Sequence, residues 1–132
     1  MEWTSVHSDF PFRVDQFSDG ILRFICLATL LLQPNLPATV IIDEPELGLH
    51  PHAIAILSGL LKKASSRSQV IIATQSVTLI DTFDLEDLII AECRNGESFF
   101  HRPDPEKLKS WLNEYSLGQL WEKNVLGGSF EK

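Results

Sequence analysis

Two cysteines in 132 residues are too few for a disulfide framework. Cys26 lies in an apolar run and Cys93 in a strand-like stretch, and neither belongs to a CxxC pair, so the expectation is a reduced, cytoplasmic chain. Long apolar runs are also missing. The longest, Ile25 to Ala28 followed by Thr29 and Leu30 to Leu32, stops at Gln33-Pro34, well short of the roughly 20 residues that cross a bilayer. Met1-Glu2-Trp3-Thr4 has no basic segment leading into an apolar core, so no export signal is expected there. Basic residues are scarce: 11 Lys and Arg stand against 18 Asp and Glu, a formal net charge of -7. That balance excludes a broadly basic surface for nucleic acid, although DNA contact through a local patch or a partner domain stays open. What is present is a 44% apolar, 22% charged composition, which fits one folded domain over residues 1–132 and not a disordered chain.

Ser18-Asp19-Gly20 leads into a helical pattern from Ile21 to about Leu32 that is apolar on both faces, as in a helix enclosed within an α/β structure. Gln33-Pro34-Asn35-Leu36-Pro37 ends it. Thr39 to Asp43 is continuously apolar before its acid, the pattern of a parallel strand buried on both faces. Pro51 opens a second helix to about Ala64, and Gln69 to Thr74 reads as the next buried strand, making residues 39–74 a β-α-β unit. Val77 to Ile80 is a short helix and residues 86–92 contain a further strand. Asn95-Gly96 predicts a hairpin with a returning strand over 98–102, and short helices follow at 105–113 and 117–121. The first thirteen residues show no obvious element, as though the chain begins partway through a larger fold.

The strongest chemical signal is Asp43-Glu44 at the C-terminal end of the first buried strand, where open α/β sheets place their sites. Asp43 is a candidate ligand for Mg²⁺, a hard cation that prefers oxygen, and Glu44 can orient or deprotonate a water. The competing structural reading is that the two acids simply end a strand.

Ile41-Ile42-Asp43-Glu44-Pro45 resembles the Walker B segment of ABC-type ATPases, and Glu46-Leu47-Gly48-Leu49-His50-Pro51 resembles the D-loop of their SMC, RecF and OLD-like relatives. Phe17-Ser18-Asp19-Gly20-Ile21 stands where that family has its signature motif, and Thr74-Gln75-Ser76 where it has its switch histidine. The motifs cover residues 17–92, from the signature helix to the last core strand. Residues 93–132 then supply the hairpin return strand and C-terminal helices, and Tyr115 to Gly128 resembles the end of the predicted-ATPase subgroup. The resemblance implies a three-layer, P-loop NTPase-like, mostly parallel sheet, with ATP and Mg²⁺ as cofactors. By position it implies that Asp43 holds Mg²⁺ through water, that Glu44 polarises the attacking water and that Gln75 contacts phosphate. Ser18 and the backbone of Gly20 would meet the γ-phosphate of ATP bound mainly by a second protomer, and the loop around Gly48 would cross a homodimer interface. Arg23 is either a phosphate or interface contact or the solvent-facing residue of its helix.

Departures from the family pattern are specific. Asp19 replaces the first signature glycine, Ile21 replaces a polar residue, and Gln75 replaces the histidine. Gln75 can donate a hydrogen bond to phosphate but cannot become a cation near neutral pH. No G-x-x-x-x-G-K-[ST] loop occurs anywhere in the sequence. The expectation is therefore the C-terminal part of an ATPase domain whose N-terminal lobe, with its Walker A loop, lies elsewhere, so that this chain alone is inactive. Alternatives are a non-catalytic α/β interaction module and a carboxylate–metal nuclease domain; no second acidic cluster with nuclease spacing supports the latter. DNA repair, plasmid maintenance and phage defence recur among such relatives. His50 and His52 are read as loop or helix-cap residues and not as a zinc site. Trp3, Trp111, Trp121 and Tyr115 are assigned to packing, and Lys62, Lys63 and Arg67 to a solvated patch at a helix end.

Overall fold

A computed structural model describes residues 2–4, 11–13 and 18–127, the first two stretches by their backbone alone. Phe17 and the tail beyond Gly127 lie outside the described residues. The chain divides into two compact units, Met1–Thr74 and Gln75–Lys132.

The first unit is built on the expected β-α-β segment. β1 (Glu2–Thr4) and β2 (Pro11–Arg13) precede α1 (Asp19–Leu31), β3 (Thr39–Asp43), α2 (Pro51–Ser65) and β4 (Gln69–Ala73). β3 and β4 pair in parallel, in register from Thr39 opposite Gln69 to Asp43 opposite Ala73. Between them α2 buries Ile54, Leu57, Ser58, Leu61 and Ala64, the three- and four-residue spacing of one helical face, and packs on β4. Pro51 occupies the first turn, where its missing N–H costs nothing.

Two expectations about burial are corrected. β3 and β4 are not covered on both faces: Val40 is buried and Ile42, Val70 and Ile72 are half-buried, whereas Ile41 and Ile71 are 73% and 45% exposed. α1 buries only Gly20 and Leu31, with Ile21 and Leu32 exposed. The reason is geometric. A parallel pair needs a layer on each face, and the crossover helix supplies one. In-register pairing then sets Ile41 beside Ile71 on the uncovered face.

The N-terminus is also corrected. Where no element was expected, the backbone pairs β1 with β2 antiparallel, Glu2 opposite Arg13 and Thr4 opposite Pro11. Strands of three residues are too short to leave a readable period in the sequence, and Pro11 sits at a strand end, where a missing donor is tolerated. Arg67 does more than decorate a solvated patch. Its guanidinium donates to the carbonyls of Leu31 and Gln33, each at 3.2 Å, satisfying acceptors left open at the C-terminal end of α1.

In the second unit α3 (Val77–Ile80) and a 3₁₀ turn (Leu85–Asp87) lead to β5 (Ile90–Arg94) and β6 (Glu97–His101), then α4 (Pro105–Leu112) and α5 (Leu117–Glu122). The predicted hairpin forms at Asn95-Gly96, both with positive φ (53° and 80°), the two-residue turn whose twist matches that of the strands. Leu85, Ile90, Leu108, Leu120 and Leu126 make the core, with Tyr115 and Trp121 packed against it. Trp111 lies 5.9 Å from Tyr115, ring centre to ring centre. The packing assignment thus holds for Tyr115 and Trp121, whereas Trp111 touches Tyr115 but is 43% exposed, and the side chain of Trp3 lies outside the described residues. Asp81 accepts a hydrogen bond from the Gly118 N–H at 2.6 Å, fixing α3 to the start of α5. No helix among the described residues is long and apolar enough to cross a membrane.

The row formed by Ile41 and Ile71 generates a solution prediction. The chain self-associates or binds a hydrophobic dye, and the double substitution Ile41→Thr and Ile71→Thr weakens either signal while leaving the thermal midpoint nearly unchanged. Light scattering showing a strict monomer that binds no dye would contradict it.

Candidate functional site

β3 delivers Asp43, exposed, to its C-terminal end, and the half-buried Glu44 follows it. Glu44 adopts φ 42°, in the left-handed region that costs a non-glycine residue about 1–2 kcal/mol. Its N–H donates to the Ala73 carbonyl at 2.8 Å, carrying the β3–β4 ladder one bond past the strand. Pro45 is fully buried, and the turn closes with Leu47 N–H on Glu44 O (3.2 Å) and Leu49 N–H on Glu46 O (2.9 Å). A rigid strand end followed by a hydrogen-bonded turn is the kind of support that holds two carboxylates in fixed directions.

His50 caps α2, its Nδ1 accepting from the His52 N–H at 3.3 Å, which accords with the helix-cap reading. Ser18 caps α1: its Oγ accepts from the Ile21 N–H at 3.3 Å, and as a hydroxyl it retains an O–H to donate. Asp19 lies in the first turn of α1, where a carboxylate complements the helix dipole. Arg23, a turn further on, is half-buried.

The signature-like helix and the loop after β3 meet directly. Gly20 is buried against Gly48, so closely that a Cβ on Gly20 would lie 2.1 Å from the Gly48 carbonyl oxygen. Gly48 itself has φ 78°, which glycine adopts without strain. Two segments 28 residues apart in sequence are thus joined by a backbone contact that only a side-chain-free residue permits at Gly20.

Sequence reasoning assigned no role to Glu46. Its Oε1 accepts a hydrogen bond from Thr74 Oγ1 at 2.5 Å, joining the turn after β3 to the residue after β4. The available signal was topological: in-register parallel strands bring their following residues side by side. Gln75, the first residue of the second unit, is exposed, and Ser76 caps α3 by accepting from the Leu79 N–H at 3.3 Å.

The donor set is sparse and made of oxygen. Among the described residues no three His, Cys, Asp or Glu side chains gather to form a cage. A lone exposed carboxylate such as Asp43 fits Mg²⁺, which is commonly held by one or two carboxylates together with phosphate oxygens and water.

Comparison with known structures defines the fold. One solved SMC ATPase, described for ATP-driven dimerization and DNA-stimulated activation, superposes over 80% of this chain and 66% of its own, with TM-score 0.60 and 22% identity. An SMC head bound to the C-winged helix domain of ScpA matches 78% of this chain and 32% of its own, with TM-score 0.63 and 21% identity. The fold is that of SMC ATPase heads, a P-loop NTPase-like α/β arrangement.

The particular family follows from the sequence profile. The chain belongs to the family described as "AAA domain, putative AbiEii toxin, Type IV TA system", whose profile matches residues 1–81. The Nod factor export ATP-binding protein I of Rhizobium etli is 34% identical over 74 residues, 56% of this chain. The chain spans 23% of that relative's length.

The glycine contact makes a graded prediction. Gly20→Ala forces backbone apart and lowers stability by about 1–3 kcal/mol, and Gly48→Ala costs about 1 kcal/mol or more through its positive φ. Gly59→Ala, in the exposed middle of α2 with nothing within 4 Å, is neutral or stabilising. Urea unfolding midpoints of the three variants check the order.

Proposed function

We propose that this chain supplies the signature, Walker B and D-loop side of an ATP-hydrolysing site of the ABC/SMC type, and corresponds to the C-terminal part of such an ATPase domain. The observation that carries the reading is the convergence at the end of β3. Asp43 and Glu44 emerge there on a hydrogen-bonded turn, and the same turn seats Gly48 on Gly20 at the start of α1.

Each residue then has a stated task. Asp43 would hold Mg²⁺. Mg²⁺, when bound, supplies charge stabilisation to the phosphate oxygens. Glu44 accepts a hydrogen bond from the attacking water and draws its proton, which sharpens the nucleophile. Ser18 offers its O–H, and the N–H of Gly20, one of the early helical donors without an intrahelical partner, aims with the helix dipole at anionic oxygen. Gln75 donates its amide N–H₂ to phosphate in place of a histidine. Gly48 and Arg23 belong to the surface that meets the partner protomer.

The phosphate cradle has to come from outside these residues, because no phosphate-binding loop with its lysine occurs in the sequence. In this reading residues 17–92 form the core of the partial domain, and 93–132 its hairpin return and C-terminal helices. The protein works in the cytoplasm as a homodimer, with ATP shared between protomers. The structural relatives lend support: one SMC ATPase is described for ATP-driven dimerization.

Two outcomes test the reading. Purified alone, the chain releases phosphate from ATP no faster than its Glu44→Gln variant, since the metal and water side of a site does not suffice without the phosphate cradle. With the segment that carries the phosphate loop present, Glu44→Gln lowers single-turnover hydrolysis about 10²–10⁴-fold while an ATP-bound dimer persists. Asp43→Ala and Ser18→Arg instead prevent that dimer, by weakening metal binding and by blocking the partner's phosphate. Light scattering with and without Mg-ATP separates the two behaviours. Parental hydrolysis by Glu44→Gln would remove Glu44 from catalysis and move the water-positioning role to another residue.

A further inference from the structure

Glu46 is half-buried in the turn after β3, next to the fully buried Pro45. One carboxylate oxygen accepts from Thr74; the other, Oε2, is buried with no hydrogen-bond partner among the described residues. Enclosing a carboxylate in this way is unfavourable unless its hydrogen bonds are strong, and a hydroxyl-to-carboxylate bond belongs to the charge-assisted class. The backbone of the same residue is engaged as well, its carbonyl accepting from Leu49. Glu46 therefore reaches in two directions: along the turn toward Gly48, and across to the first residue after β4.

The bond from Thr74 acts together with a second one. Glu44 N–H binds Ala73 O, and Thr74 Oγ1 binds Glu46, so adjacent residues at the end of β4 hold alternate residues of the turn. One bond alone leaves the turn free to pivot about it; two fix its direction. Glu44, at a strained φ of 42°, needs that support to keep its carboxylate aimed.

We propose that Glu46 is a positioning residue whose bond with Thr74 ties the turn carrying Asp43 and Glu44 to the end of β4, where the segment continuing into Gln75 begins. The consequence for hydrolysis rests on the function proposed above; the tie itself does not.

Hydrogen exchange on the whole chain tests the tie. Glu46→Ala and Thr74→Val each speed exchange at the amides of Glu44, Leu47 and Leu49 about tenfold, as expected for loss of one such bond. Amides of Leu57 and Leu61 in α2 stay protected. Glu46→Gln and Thr74→Ser, which retain the acceptor and the donor, restore slow exchange, and the double variant behaves like either single one. Unchanged exchange at the turn, equal acceleration in α2, or additive effects in the double variant would overturn the proposal. In the assembled ATPase, Glu46→Ala lowers kcat about tenfold with the KM for ATP unchanged, and Glu46→Gln recovers it. A loosened turn with parental kcat would overturn the catalytic consequence. A parental protein with no hydrolysis would instead refute the proposed function, and the exchange result would still decide the tie.

Discussion

The in-register parallel pairing of β3 and β4 is the constraint from which the rest of the first unit follows. With Asp43 opposite Ala73, the chain leaves both strands at the same height, so the turn beginning at Glu44 and the segment beginning at Thr74 emerge as neighbours. Bonds then form across them, Glu44 to Ala73 and Thr74 to Glu46, that no local propensity encodes. A slip of one residue would reverse which side chains face α2 and would carry Asp43 away from this edge. Val40, Ile42, Val70 and Ile72 on the covered face and Leu57 and Leu61 on α2 resist that slip through apolar burial.

The electrostatic character of the site fits a chain that is acidic overall. Asp43, Glu44 and Glu46 lie within four residues, and Asp19 opens the helix whose first turn touches the same loop. Such a surface repels phosphate unless a divalent cation and oriented donors intervene. At the start of α1 the donors are its early N–H groups and the hydroxyl of its cap, Ser18, and neither adds a formal charge. Bringing ATP to this face would therefore depend strongly on Mg²⁺ and on cationic groups contributed from beyond these residues, in keeping with a site assembled from more than one segment.

Half-covered strands support the same assembly. Ile41 and Ile71 form an exposed apolar row on a sheet whose other face is closed by a helix. Exposed rows of this kind on paired parallel strands are otherwise enclosed by a second layer, because βαβ architectures place helices on both sides. The uncovered face of β3 and β4 thus leaves apolar surface that a further layer would enclose.

Much of the architecture was legible in the sequence because its signals are local. Continuous Val-Ile runs, Pro51 at a helix start and Asn95-Gly96 between strand-like segments specify strand, helix and hairpin through backbone sterics and periodicity. Asp43 and Glu44 stand out in the sequence as site candidates from their place at a strand end, and Ser18, Gly20, Gly48 and Gln75 as candidates from motif order. Contacts between distant residues were not. Gly20 against Gly48, Glu46 with Thr74, and Arg67 on the carbonyls of α1 join segments 28, 28 and 36 residues apart, the last to Leu31. The burial of α1 and the strands was overestimated for a related reason: a hydrophobic pattern records that a surface needs cover, but not whether the same stretch of chain supplies it. The sequence by itself determined the elements and the order of the chemical groups. Only tertiary structure decided which of those groups touch, because contact depends on strand register and close backbone approach, which arise when the elements pack.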